Sequence, residues 1–235
     1  MTHLLDIQGL NVFYGGFHAV HGIDLALRQG EILSMIGANG AGKSSTLKAI
    51  IGQVPRATGA MLFDGRDIAG WNTHQRVSNG IAIVPEGRKL FPTLSVEENL
   101  RIGGFSGRKG PFDIKAVFEL FPALAERRRQ LASQLSGGQQ QMVSIGRALM
   151  MNPRVILFDE ISLGLSPKIV GDIYAVLPKI RERGLSMLLV EQDISRSLGI
   201  ADSFVCMLEG RVALAGKPGE YTREQIAESY FGAHA

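Results

Sequence analysis

Cysteine is almost absent from this sequence of 235 residues, in which Cys206 is the single example. One cysteine cannot form an intramolecular disulfide, so the sequence favours a reducing compartment such as the cytoplasm. A chain of this length buries roughly 70–75% of its unfolded surface and holds a core without disulfides. We therefore expect Cys206 to contribute packing rather than chemistry.

Long hydrophobic runs are missing as well. No uninterrupted apolar stretch exceeds five residues, whereas a membrane-spanning helix needs about 20. The first residues also lack the basic segment and the apolar stretch of a signal peptide. We expect a chain that has no signal peptide and does not cross a membrane itself.

Neither sign of charge is in large excess, since 25 basic residues minus 22 acidic residues give +3. Charged residues are 20% of the chain, slightly below the usual share of about 25%. This balance excludes a disordered polyelectrolyte and disfavours a dedicated nucleic-acid-binding protein. The isolated run Arg127–Arg129 is typical of a solvated helical face, and the five histidines show no metal-ligand spacing.

Glycine, in contrast, is abundant, with 29 residues where the usual share is about 7%. Ordering a glycine costs more backbone entropy than ordering any other residue, so this excess predicts specific uses.

Short apolar segments alternate with helical ones, which predicts an α/β fold with a mainly parallel sheet. Continuous apolar segments are typical of strands buried on both faces; they are Glu31–Ile36, Ile81–Val84, Val155–Phe158 and Leu185–Val190. The helical stretches between them are Ser44–Ile51, Gly137–Met151 and Pro167–Arg183.

The two ends and the middle of the chain have other patterns. Alternating segments that predict antiparallel hairpin strands are Leu4–Phe13, Gly22–Arg28 and Phe204–Ala215, the last with a turn at Glu209-Gly210. Residues 87–134 are rich in Glu, Arg and Phe and poor in strand signal, with a loop over Gly103–Pro111. We predict one domain over residues 1–235, with an N-terminal antiparallel β subdomain and a helical subdomain inserted at about residues 87–150.

A glycine-rich segment between a predicted strand and a predicted helix fits the phosphate-binding pattern G-x-x-x-x-G-K-[ST]. Its residues are Gly37, Ala38, Asn39, Gly40, Ala41, Gly42, Lys43 and Ser44, followed by Ser45. The glycines let backbone N–H groups approach phosphates, and the helix N-terminus adds a positive field. Lys43 would place a charge on the β- and γ-phosphates, and the Ser44 hydroxyl would ligate Mg²⁺. A chance glycine-rich turn is the alternative.

Two acidic residues, Asp159 and Glu160, directly follow the apolar segment Val155–Phe158. A buried parallel strand delivers them to the carboxyl edge of the sheet, where ligands bind in such folds. Asp159 would hold Mg²⁺ directly or through water, and Glu160 would orient or deprotonate an attacking water. The alternative is an ordinary strand that ends in a charged turn.

A second anion site is predicted by the segment Leu135, Ser136, Gly137, Gly138 and Gln139. Ser136 is typical of an N-cap, and the two glycines leave the first N–H groups of the helix unobstructed. One chain with a single phosphate cradle has no evident second nucleotide, so this site would serve the nucleotide of another molecule.

This pentapeptide is the signature motif of the ATP-binding cassette (ABC) ATPases, which the sequence resembles over essentially its whole length. Asp159 follows Gln139 by 20 residues, the order and spacing of that family. The resemblance implies that two subunits sandwich two ATP molecules, each between the phosphate loop (Walker A) of one subunit and the signature of the other.

Two further positions match the family. Tyr14, 29 residues before Lys43, corresponds to an aromatic residue that stacks on adenine; a half-buried strand tyrosine is the alternative. Arg147 matches the arginine after the signature helix; the alternative is a solvated helical face.

Three positions depart from the common ABC pattern: Glu86 replaces Gln, Gln192 replaces His, and Ser166 replaces Asp. Glu86 keeps an oxygen that can face Mg²⁺ or water. Gln192 can donate a hydrogen bond to the γ-phosphate but does not titrate near neutral pH. The expected catalytic residues are therefore Glu160 as the base, Gln192 as a γ-phosphate sensor, and Lys43.

The residues at these departures form a set: Pro-Glu-Gly-Arg at 85–88, Ser-Leu-Gly-Leu-Ser-Pro at 162–167, and Val-Glu-Gln at 190–192. Together with residues 229–232, they resemble one branch, the second ATPase of high-affinity branched-chain amino-acid importers (LivF-like). That branch implies two transmembrane permeases, a second ABC ATPase chain or a homodimer, and indirectly a solute-binding protein. It also implies ATP and Mg²⁺ as cofactors and a peripheral position on the cytoplasmic face of the inner membrane.

Other functions stay open at this point. Importers for urea and short amides share much of the pattern, and an ATPase does not touch the transported solute. A lipopolysaccharide-export ATPase has a similar size but normally keeps the Gln and the His. A small-molecule kinase would share the phosphate loop and lack Leu135–Gln139.

Overall fold

The computed structural model describes residues 3–232, so residues 1–2 and 233–235 of the predicted domain lie outside it. The strands are β1 (His3–Tyr14), β2 (Phe17–Arg28), β3 (Ile32–Gly37), β4 (Arg56–Phe63), β5 (Arg66–Asp67), β6 (Ile81–Val84), β7 (Val155–Asp159), β8 (Ser186–Glu191), β9 (Ser203–Leu208) and β10 (Arg211–Gly216). The α-helices are α1 (Lys43–Ile51), α2 (Thr73–Ser78), α3 (Val96–Gly103), α4 (Ile114–Leu120), α5 (Pro122–Ala125), α6 (Gly137–Leu149), α7 (Pro167–Tyr174), α8 (Leu177–Glu182), α9 (Ile194–Leu198) and α10 (Arg223–Phe231).

The described residues form two compact units. The first unit combines the chain up to Arg76 with the chain from Ser186 onward, and the second runs from Val77 to Leu185. In residues 3–232, no helix is long and apolar enough to cross a membrane.

The first unit contains an antiparallel sheet in the order β2-β1-β4-β5. It also contains four strands built around β3, which pairs in parallel with β8 on one side and with β9 on the other. β10 adds to β9 in the antiparallel sense. β3 is therefore flanked on both sides, and all six of its residues are buried, as expected for a parallel strand with a continuous apolar sequence.

The second unit has a parallel strand pair and a long helical connection. β6 pairs with β7 so that Ile81 lies opposite Val155 and Val84 opposite Phe158. Residues 85–154, which join these strands, contain α3 to α6 and no strand, apart from an isolated bridge between Ser95 and Leu131. Helices α7 and α8 follow β7.

The four strands predicted from continuous apolar segments are confirmed to within one residue at each end. The strands near each end of the chain, β1 with β2 and β9 with β10, form antiparallel pairs as predicted. β2 is longer than expected because it starts at Phe17, directly after a turn at Gly15-Gly16. The boundaries 87–150 of an inserted helical subdomain stay a prediction.

Two local predictions are wrong. The stretch Pro167–Arg183 forms the two helices α7 and α8, because Pro178 lacks an N–H and its ring obstructs the carbonyl one turn earlier. The predicted loop Gly103–Pro111 starts with the last residue of α3 and a 3₁₀ turn at Gly104–Ser106.

Cys206 is fully buried in the first unit, in a cluster with Ile36, Phe204 and Ile226. Burial raises the pKa of its thiol to about 11, although the positive charge of Lys43 opposes this shift. The thiol is therefore protonated at physiological pH, as expected for a packing role.

Arg76 is a buried cation that organises the end of α1. Its guanidinium donates to Ala49 O at 2.6 Å and Ile50 O at 2.9 Å, in the last turn of that helix. It also donates to Ile68 O at 2.9 Å and Trp71 O at 2.9 Å. Burial lowers the pKa of Arg76, and the carbonyl oxygens compensate the desolvated charge.

We predict that Arg76→Met lowers the free energy of unfolding by about 3 kcal/mol, because several buried carbonyl groups lose their donor at once. The measurement is urea unfolding of the purified chain, followed by circular dichroism. Arg66→Met on exposed β5 is the matched control and should leave stability nearly unchanged. Equal stability of both variants would contradict the role assigned to Arg76.

Candidate functional site

The phosphate-binding segment is a tight loop between β3 and α1, as predicted. Gly37, Gly40 and Gly42 have φ values of +151°, +83° and +98°, which side chains disfavour. A Cβ atom on Gly37 would lie 2.3 Å from Met207 O, and one on Gly42 would lie 2.9 Å from Ala19 O. Glycine is therefore required at both positions for conformation and for space.

Lys43 is only 4% exposed and extends along this loop. Its ammonium group donates to Gly37 O at 2.7 Å and to Ala38 O at 3.0 Å. It begins α1, which has no side-chain N-cap and no acidic residue in its first turn. A buried ammonium group, a helix N-terminus and close-lying backbone together favour a phosphate ligand.

Gln192 lies at the same edge of the first unit. β3 and β8 are parallel, and Ile36 lies opposite Glu191, so Gly37 and Gln192 are the next residues in register. Sequence analysis missed Glu191, a carboxylate only 1% exposed at the end of β8. It directly follows the predicted strand Leu185–Val190, and only its burial shows that it is unusual.

Tyr14 ends β1 and lies opposite Phe17 across the hairpin turn. Tyr14 is half-buried, whereas Phe17 is 67% exposed. This hairpin places two aromatic residues opposite each other in register, and the stacking role of Tyr14 stays a prediction.

The predicted acids lie in the second unit. Asp159 is the last residue of β7 and is 4% exposed. Glu160, the next residue, has a φ of +50°, a left-handed conformation that non-glycine residues seldom adopt and that clusters at functional sites. Because Val84 lies opposite Phe158, the exposed Glu86 leaves β6 at the edge where Asp159 ends β7.

The signature segment begins a 13-residue helix, α6, and Ser136 is its N-cap, as predicted. Gln139 N donates to Ser136 Oγ at 3.3 Å, and Ser136 N donates to Gln139 Oε1 at 3.0 Å. This capping box fixes the segment from Leu135 onward. A Cβ on Gly138 would lie 2.5 Å from Ile169 Cγ2 of α7, so this glycine is also needed for helix packing.

Arg147 does not lie on a solvated helical face. It is half-buried in α6, its guanidinium donates to Arg88 O at 3.3 Å, and it lies 5.7 Å from the centroid of the Phe91 ring. Burial lowers the pKa of its guanidinium. Arg147 therefore ties α6 to the segment after Glu86.

Each unit thus brings part of the predicted site together. The phosphate loop and Gln192 share an edge in the first unit, and Glu86 shares an edge with Asp159 and Glu160 in the second. Among residues 3–232, no group of three or more His, Cys, Asp or Glu side chains is placed to hold a metal ion.

A family model for ABC transporters matches residues 20–162, which is more than half of the chain and includes the phosphate loop, the signature and both acids. The chain belongs to the ABC transporter family. It is an ATP-binding, ATP-hydrolysing subunit, and the kinase alternative is excluded.

The cassette has relatives of almost the same length. It is 38% identical to the high-affinity branched-chain amino acid transport ATP-binding protein BraG of Pseudomonas aeruginosa, over 97% of this chain and 100% of BraG. It is 35% identical to the probable branched-chain amino acid transport ATP-binding protein LivF of Archaeoglobus fulgidus, over 96% and 97%. The lipopolysaccharide export protein LptB of Escherichia coli is 30% identical over 97% of both chains. The resemblance to the LivF-like branch is confirmed.

Solved structures show the same fold. The ADP conformation of an ATP-binding cassette of an ABC transporter has a TM-score of 0.85 and 26% identity, with 99% of this chain and 100% of that chain covered. A dimeric cassette in a post-hydrolysis state with ADP and Pi has a TM-score of 0.79 and 25% identity, with 91% and 98% covered. The predicted fold class, a P-loop NTPase core of the ABC type, is confirmed.

We predict that Lys43→Ala lowers kcat for ATP hydrolysis at least about 100-fold, because the phosphate loop loses its buried positive charge. Phosphate release from the purified cassette is the measurement. Lys48→Ala, on the exposed side of the same helix, is the control and should keep wild-type turnover. Undiminished turnover of Lys43→Ala would contradict the assignment of this loop as the phosphate-binding segment.

We predict that Gly138→Ala destabilises the cassette, because the new methyl group would overlap Ile169. The additional change Ile169→Ala should restore the melting temperature by opening space. Gly171→Ala on α7 is the control, since nothing lies within 4 Å of its added Cβ. If the double variant regains stability but not ATPase activity, Gly138 also serves the ligand; no loss of stability in Gly138→Ala would contradict the packing.

Proposed function

We propose that this cassette energises the import of branched-chain amino acids through partner permeases. The proposal is carried by one observation: relatives 38% and 35% identical over nearly the whole chain bear that transport activity in their names. The branch-specific residues Glu86, Ser166 and Gln192 agree with it, because all three depart from the common family pattern in the same chain.

In the proposed cycle, two cassettes close around two ATP molecules. The phosphate loop of one subunit binds the phosphates, and residues Ser136–Gly138 of the other cover the γ-phosphate. Support comes from the glycine-rich first turn of α6, which Ser136 caps, and from the dimeric relative in its post-hydrolysis state. The partner cassette is a different chain or a second copy of this one.

In this cycle, each residue of the site has a separate role. Lys43 and the N–H groups of the phosphate loop neutralise the phosphates. Glu160 orients and deprotonates the attacking water, and Gln192 donates a hydrogen bond to the γ-phosphate. Tyr14 stacks on the adenine ring. Loss of the γ-phosphate removes the contacts that hold the two cassettes together.

Mg²⁺ fits the donors of this chain. It prefers oxygen ligands and keeps several waters and substrate phosphates, so a cluster of three acidic side chains is not needed. The Ser44 hydroxyl and the buried Asp159 carboxylate would hold it, with the Glu86 carboxylate facing it or its waters. When bound, the ion neutralises charge on the phosphates.

The proposed partners are two transmembrane permeases, a second ABC ATPase subunit and, indirectly, a solute-binding protein, with no nucleic acid. The cassette would lie at the cytoplasmic face of the membrane that holds the permeases. Lipopolysaccharide export is less well supported, because LptB is the more distant relative. Urea or short amides remain the alternative solutes.

We predict that cells carrying Lys43→Ala lose uptake of radiolabelled leucine down to the background of a deletion strain, since the transporter loses its ATPase. Uptake of radiolabelled urea should not change. The tagged cassette, purified from native membranes, should bring two hydrophobic permeases and a second ATPase with it.

The control for this experiment is Arg129→Gln, a change of an exposed arginine in the second unit, which should keep leucine uptake. Normal leucine uptake together with lost urea uptake in Lys43→Ala would overturn the proposed solute and leave the ATPase assignment intact.

A further inference from the structure

The segment after Glu86 has an unusual backbone. Gly87, Arg88 and Lys89 follow one another with φ values of +73°, +65° and +46°. Two of these three residues carry side chains that disfavour the left-handed conformation. Such strain persists only where surrounding contacts impose it, and it concentrates at functional sites.

The contacts that impose this conformation come from the signature helix. Ser144 Oγ donates to Arg88 O at 3.0 Å, and Arg147 Nη2 donates to the same oxygen at 3.3 Å. Both donors lie on α6, in the second unit together with Arg88. The carbonyl group of Arg88 is thus held by two turns of the helix that the signature begins.

The Arg88 side chain reaches the start of the same helix. Its Nη1 donates to Gln140 Oε1 at 3.3 Å. A Cβ on Gly137 would lie 2.9 Å from Arg88 Nη2 and 3.2 Å from Arg88 Cζ, so the guanidinium covers the first residue of α6. Gln140 in turn donates to Ala132 O and Leu135 O, at 3.1 Å and 3.3 Å.

One residue therefore connects the loop of Glu86 with the first turn of the signature helix, through its backbone and its guanidinium. We propose that Arg88 is a positioning residue. When the loop that contains Glu86 moves, Arg88 moves Gly137 and Gly138 with it. Arg88 therefore determines how the signature segment contacts the nucleotide of the partner cassette. This inference rests on the proposed function, in which Glu86 faces Mg²⁺ or its waters. Neither the phosphate-binding pattern nor the signature motif includes Arg88.

The test compares Arg88→Gln with the wild type in the cassette purified together with its partners. Arg88→Gln removes the fork over Gly137 and leaves the carbonyl contacts in place. We expect kcat for ATP hydrolysis to fall about tenfold, a size typical of coupling between two sites. The Kd of a fluorescent ATP analogue and KM should stay within about twofold, because the change leaves the phosphate loop and Tyr14, which bind the nucleotide in the proposed function, untouched. The melting temperature should change by less than about 3 °C.

A double-variant cycle with Glu86→Ala distinguishes transmission from two separate effects. If Arg88 passes on the position of the Glu86 loop, the double variant has nearly the kcat of the slower single variant. Multiplied effects in the double variant would overturn the proposal. Full activity of Arg88→Lys, which keeps the charge and loses the fork, would also overturn it.

Two further variants separate this inference from the proposed function. Arg129→Gln, an exposed arginine in the same unit, is the matched control and should keep the wild-type kcat. If Lys43→Ala abolishes hydrolysis while Arg88→Gln keeps the wild-type kcat, only the role of Arg88 fails. If Lys43→Ala itself hydrolyses ATP normally, the proposed function fails.

Discussion

The structure depends on close backbone approach in the phosphate loop, at the carboxyl end of β3. A Cβ on Gly37 would overlap the backbone oxygen of Met207, and one on Gly42 would overlap that of Ala19. The loop therefore packs directly on β9 and β2, without side chains between them. This contact fixes the start of α1 and the buried ammonium group of Lys43, on which phosphate binding depends.

Glycines also allow close approach of neighbouring groups in the second unit. The signature helix begins with two glycines, and the space beside them is filled by Arg88 at Gly137 and by Ile169 at Gly138. A glycine that opens a helix N-terminus to a ligand thus also allows neighbouring side chains to approach. Ligand binding and internal packing both use the space beside Gly137 and Gly138. A change in packing can therefore alter how the signature segment contacts a nucleotide.

The fold shows where the residues that depart from the common family pattern lie. Gln192 sits next to a buried carboxylate, Glu191, at the edge that carries the phosphate loop. Glu86 is followed by three residues in the left-handed conformation, and α6 holds the middle one, Arg88. Glu86 and Gln192 therefore lie where strands end and loops begin, positions that can change chemically while the sheet keeps its register, whereas Ser166 is the N-cap residue of α7.

The sequence alone determined the strands around β3, the phosphate loop, the N-cap at Ser136 and the family, because glycine spacing, apolar runs and capping chemistry are local. Only the tertiary structure decided the burial of Glu191 and Arg76, the left-handed backbone of Glu160, and the contacts of Arg88 and Arg147 with α6. These features depend on residues far apart in the chain that meet after folding. Arg88 lies 49 residues before Gly137, and no spacing rule predicts that its guanidinium covers the start of α6.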